Sequence, residues 1–137
     1  MIGLDTNVLV RFLVQDDPGQ GALARELLAR CTEEHPGFVC REVLVELVWV
    51  LERAYGFART QVAEALDGLL AAEELVLETP EAVALAAEGY RTGGADFSDL
   101  MILAAARRAG CGTLYTFDRR AARHDGITLL AGAPDSV

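Results

Sequence analysis

Apolar residues along this chain follow two rhythms: short unbroken runs, and longer stretches in which they recur at helical spacing. The first run predicts a strand over Ile2–Leu4, followed by a helix from about Asn7 to Val14. The "QDDPG" stretch breaks the pattern, and an Ala/Leu/Arg-rich helix then runs to about Cys31. A short apolar piece, Phe38–Cys40, precedes a helix from Arg41 to about Tyr55. There Leu44, Leu47, Val48, Leu51 and Tyr55 keep the i, i+3, i+4, i+7 spacing of a buried stripe, and Gly56 ends it. Next come a helix from about Thr60 to Ala72, a strand at "LVLE", and a helix from Pro80, well placed as a first helical residue, to about Tyr90. "TGGAD" reads as a loop, "FSDLMILAAARRAG" as a buried helix ending at Gly110, "TLYTFD" as a strand, "RRAAR" as a short helix and "ITLL" as a last strand. Strands this short and apolar, alternating with helices, predict an α/β fold built on a parallel sheet covered on both faces. With no linker, repeat or low-complexity tract, residues 1–137 read as a single domain.

Composition narrows the picture. The chain has 137 residues, 52% of them hydrophobic and 24% charged, which fits a globular protein with a proper core. Its net charge of −9 disfavours sequence-blind binding to polyanions, so any nucleic-acid contact needs a local cationic patch. All 12 basic residues are arginine, which excludes a Schiff-base lysine and a P-loop lysine. Cys31, Cys40 and Cys111 are odd in number and scattered, against a disulfide or zinc scaffold and in keeping with a reducing compartment. Asp5 and Arg11 interrupt the first apolar stretch, so it does not read as a signal peptide, and no run is long enough to span a bilayer. A cytoplasmic location is expected.

The candidate chemistry is acidic. Asp5 follows the first strand, Asp118 follows "TLYTF", Asp96 and Asp99 stand where the "LMILAAA" helix begins, and Glu46 lies inside the helix after the second apolar piece. Singly, each has an ordinary explanation: Asp5 and Asp118 as helix caps, Asp96 with Asp99 as a capping pair, Glu42 and Glu46 as solvated residues off the apolar stripe. As a set they carry more. Open parallel sheets bind ligands at the carboxyl ends of their strands, and strand-end acids on one sheet edge would gather there. Two unit charges ~4 Å apart interact by about 4 kcal/mol at an effective dielectric near 20. A hard divalent cation removes that repulsion, and oxygen-only ligands favour Mg²⁺ or Mn²⁺. Such ions activate water against a phosphodiester. Thr6, Asn7, Ser98 and Thr116 are neutral neighbours suited to positioning carboxylates or water.

At these residues the chain resembles the PIN-domain family, and within it the VapC-type toxins of type II toxin–antitoxin systems. The likeness rests on "LDTNVLVRFL", "EVLVELVWVLERAYG", "ADFSDLMILAAARRAGC" and "TLYTFDRRAAR", in that order along essentially the whole chain. It implies a three-layer α/β/α sandwich with a central, mainly parallel sheet. It implies a Mg²⁺- or Mn²⁺-dependent endoribonuclease that cleaves RNA and so inhibits translation, with transfer, ribosomal and messenger RNA all open as the substrate. The family's four acids fall on Asp5, Glu46, Asp99 and Asp118. Asp96 either assists a second metal or caps, and Thr116 matches a frequent Thr or Ser. A homodimer and a cognate VapB-type antitoxin, which itself makes any DNA contact, are implied as well.

Arg119, Arg120 and, less directly, Arg123 and Arg11 are candidates to hold RNA phosphates near the acids. Trp49 lies off the apolar stripe, which fits a dimer or antitoxin interface as well as packing under a neighbouring helix. His35 and His124 have no partner at ligand spacing. Two rival readings stand beside the nuclease. A carboxylate-based phosphatase would place a second Asp where Asn7 is found, and a non-catalytic PIN-like scaffold would keep the fold without the metal.

Overall fold

The computed structural model describes residues 1–131. Its elements run β1 (Ile2–Gly3), α1 (Thr6–Val14), α2 (Pro18–Ala29), β2 (Gly37–Val39), α3 (Arg41–Arg53), α4 (Arg59–Ala71), β3 (Leu75–Leu77), α5 (Pro80–Arg91), α6 (Phe97–Arg108), β4 (Leu114–Thr116), a 3₁₀ turn (Ala121–Arg123) and β5 (Ile127–Leu129). The mixed α/β architecture expected from the alternation is present, with strands slightly shorter than their apolar runs. The segment expected as a helix at "RRAAR" is only the 3₁₀ turn.

Local chemistry explains the boundaries. The Asp17 carboxylate accepts from the Gln20 N–H at 3.0 Å, and Pro18 opens α2. Cys40 offers α3 no cap, so Glu78 at the end of β3 supplies one, accepting the Arg41 N–H at 2.9 Å. Gln61 accepts the Ala58 N–H at 2.8 Å and closes the start of α4. Gly56, after α3, takes φ +66°, a left-handed turn that favours glycine.

All strand pairing is parallel: β1 with β2, β2 with β3, and β4 with β5. The expected parallel sheet is present, its hydrogen bonding divided among the described residues into two ladders, β1-β2-β3 and β4-β5. The N–H groups of Ile2 and Leu4 donate to the Pro36 and Phe38 carbonyls, both on the β2 side of β1. Cover is incomplete: Leu4, Val39 and Leu77 are buried, while Val76 and Tyr115 are exposed.

The main core joins strands and helices through Leu9, Val39, Leu44, Leu47, Leu51, Val62, Tyr90 and Phe97. Three of the stripe residues expected on α3 are its most deeply buried, with Leu44 and Leu47 at 0% and Leu51 at 1% exposure. Tyr90 and Phe97 meet edge to face at 6.3 Å, fixing α5 against the start of α6. A smaller cluster of Leu103, Ala121 and Ile127 seats β4 and β5 on α6. Helices α3 and α6 pack against each other, and each carries one of the acids singled out above.

Candidate active site

Asp5 terminates the turn between β1 and α1 in an extended conformation and caps the helix, accepting the Thr6 N–H at 2.8 Å. Thr6 is buried, at 2% exposure, and its hydroxyl donates to a carboxylate oxygen of Glu46 in the second turn of α3. This hydrogen bond ties the first motif to the second across forty residues. Glu46 is otherwise exposed, as its place off the stripe required.

Asp99 stands in the first turn of α6, and burial pushes its carboxyl above its ordinary pKa. A hydrogen bond from the Asp96 backbone offsets part of that rise, and the negative charges of Asp96 and Asp118 add to it. Asp118 is held from both sides. Its own N–H donates to Thr116 Oγ1 at 3.0 Å, and its carboxylate accepts from the Arg120 and Ala121 N–H groups at 2.8 and 3.2 Å. Thr116 is thus in direct hydrogen-bond contact with the backbone of Asp118.

Asp96 behaves differently from the expected capping pair. It occupies the N-cap position of α6 but makes no side-chain cap there. Its carboxylate instead accepts from Arg59 at 3.1 Å. Arg59 was invisible to sequence reasoning, because its partners lie more than thirty residues away and nothing in its own neighbourhood marks it.

A groove of about 690 Å³ runs between α3 and α6, lined among others by Arg41, Val45, Glu46, Trp49, Asp96, Ser98 and Ile102. Glu46, Asp96 and Ser98 thus share one surface. Trp49, 58% exposed, and Ile102 add exposed apolar surface to its lining. Asn7 is exposed at the start of α1. Arg119, Arg120 and Arg123 lie beside Asp118 with no ion pair among the described residues. Arg11 is not available in the same way. Its guanidinium is engaged by Gln20 at 2.6 Å, Asp16 at 3.1 Å and Tyr55 at 3.2 Å, a network that joins α1 and α2 to the end of α3.

The acids therefore fall into two linked groups: Asp5 and Glu46 around Thr6, and Asp96, Asp99 and Asp118 around the start of α6. Among the described residues no three carboxylates, imidazoles or thiols converge closely enough to chelate one ion.

A family model for the PIN domain matches residues 2–127, a span holding all four acids. The chain belongs to the PIN-domain family. A curated relative, the VapC ribonuclease of Aquifex aeolicus (strain VF5), is 26% identical over 117 residues, covering 85% of this chain and 87% of the relative. As a PIN domain the chain matches the fold expected from its sequence, and no helix among the described residues is long and apolar enough to cross a membrane.

Proposed function

We propose that this PIN domain is a divalent-metal-dependent endoribonuclease, the toxin of a VapC-type toxin–antitoxin pair. The observation that carries the reading is geometric: Asp5 and Glu46 meet at Thr6, and Asp99, half-buried in the first turn of α6, lies in the field of Asp96 and Asp118, so burial and repulsion both penalise its charged form. A hard cation offsets both penalties, and an all-oxygen donor set suits Mg²⁺ or Mn²⁺. Asp5, Asp99 and Asp118 would hold it directly or through water, with Glu46 beside them. Such an ion, when bound, supplies positive charge to the scissile phosphate and lowers the pKa of its water.

The protein's own groups do the rest. Thr6 fixes one Glu46 oxygen, so the other is oriented to accept a proton from an attacking water. Thr116 and the backbone N–H groups of the 3₁₀ turn hold Asp118 in one rotamer. Arg119 and Arg120, beside that acid, supply the local cationic surface that a chain of net charge −9 needs to hold phosphates. Arg11, already engaged, has no part in this reading. The acidic groove with its apolar lining suits a VapB-type antitoxin that brings a cation among the carboxylates, and DNA contact then belongs to the antitoxin. A homodimer and a cytoplasmic site of action complete the proposal.

One observation favours a metal-free scaffold instead, namely that no three acids among the described residues converge as the side chains stand. Incubating end-labelled RNA with the protein in Mg²⁺, Mn²⁺ or chelator decides between the two. The nuclease reading expects internal cuts with either ion, none in chelator, and none from a folded Asp5→Ala variant. Cleavage that survives chelation or Asp5→Ala refutes it. So does the absence of cleavage across transfer, ribosomal and messenger RNA.

A further inference from the structure

We infer that Arg59 is a positioning residue of the acidic centre, pinning the turn before α6 so that Asp99 is presented correctly while Asp96 is held out of the ligand set. The inference rests on the nuclease reading above. Arg59 is the first residue of α4, and its guanidinium donates to the carbonyls of Tyr90 at 2.8 Å, Ala95 at 3.1 Å and Gly94 at 3.4 Å, and to the Asp96 carboxylate at 3.1 Å. Its Cζ also lies 4.5 Å from the centre of the Tyr90 ring, a fully buried side chain. One rigid fork thus stitches the end of α5 to the start of α6.

Tyr90 against Phe97 and the buried Ala95 hold the two ends of the stitched segment, and its middle is the flexible part. Gly93 and Gly94 have φ of +92° and +93°, a left-handed pair in open space, where a Cβ on either would touch no neighbouring side chain. The turn sets the first residue of α6, and Asp99 follows within one helical turn. A slip of one residue there rotates a helical side chain by about 100° about the axis. Such a slip would turn Asp99 away from Asp118. Holding Asp96 on Arg59 also keeps a fifth carboxylate from competing for the ion. Lysine, with a compact ammonium in place of the fork, does not reproduce four such contacts.

Mn²⁺ calorimetry and steady-state RNA cleavage on the wild type, Arg59→Gln, Arg59→Lys and Asp96→Asn test this, with thermal melting of each. We expect Arg59→Gln to weaken Mn²⁺ binding and lower kcat by about tenfold or more with KM little changed. Arg59→Lys is expected to recover only part of both, and Asp96→Asn to bind Mn²⁺ within about twofold of wild type, since three of the four contacts persist. If Arg59→Gln does not fold, Arg59→Lys and Asp96→Asn carry the test. A folded Arg59 variant that melts early but keeps wild-type Mn²⁺ affinity and kcat makes the residue merely structural and overturns the inference. An Asp96→Asn variant that loses Mn²⁺ as severely as Asp99→Asn overturns it too. A wild type that binds no Mn²⁺ overturns the nuclease reading itself, a distinct result.

Discussion

Thr6 commits a buried hydroxyl to a carboxylate forty residues away, and that single bond orients Glu46. Replacing it with Val keeps the volume and removes the donor. The expected outcome for Thr6→Val is a kcat lower by about 10–100-fold with a smaller change in KM; an unchanged kcat would remove Thr6 from the positioning scheme. Asp99 gives a test with a sign. Its folded pKa is raised, so ionising it costs stability: the favourable contribution is complete below the unfolded-state pKa of about 4 and is lost as pH rises through the folded value. Asp99→Asn should therefore melt higher than wild type at pH 7 and lose that advantage in acid. Cleavage should be abolished at the same time. A variant less stable at pH 7 contradicts the electrostatic account of Asp99. At this scale the four candidate acids and the two threonines beside them could be picked out from the sequence, because each stands at a strand end or on a helix whose local pattern announces it. Arg59 was hidden, since its four partners are set by packing and not by spacing. Arg11 looked free for phosphate for the same reason, and its capture by Asp16, Gln20 and Tyr55 depends on how three helices meet.

Helix boundaries were legible wherever a cap or breaker is local: Asp17 with Pro18, Pro80, and Gly56 after α3. The sheet was less so. Which ladder a strand joins depends on which backbone edges meet, and a two-residue β1 cannot advertise in sequence that it pairs with β2. Packing at that junction is tight. A Cβ on Gly37 would lie 2.7 Å from Leu4 Cδ1 and 3.2 Å from Leu75 Cδ2. Leu4 directly precedes Asp5, so crowding β2 displaces the first acid. Gly37→Ala is expected to cost about 1–3 kcal/mol in urea unfolding. Adding Leu4→Ala should yield a double variant more stable than the sum of the two single losses allows, because the clash and the cavity relieve each other. Strict additivity would mean that the β1–β2 contact is looser than described.

Across the whole molecule, the fold sets acids from four separated segments around α3 and α6 while the chain as a whole stays acidic, at −9. The proposed activity therefore calls on two cations of different kinds: a small ion among the carboxylates, and the arginines beside Asp118 to meet a phosphate chain. The acidic balance also leaves the groove at Trp49 and Ile102 suited to a cationic, partly apolar partner segment, so antitoxin binding should weaken as salt rises. Family membership followed from the acids in order along the chain; the division of those acids into two linked groups did not, because it depends on side-chain partners. The most direct test is to soak crystals of the protein in Mn²⁺ and map its anomalous scattering. The account predicts a peak among Asp5, Glu46, Asp99 and Asp118, with no Asp96 oxygen bound and with the peak lost in Asp99→Asn. A fully occupied Mn²⁺ elsewhere, or no peak among these acids at saturating metal, would contradict it.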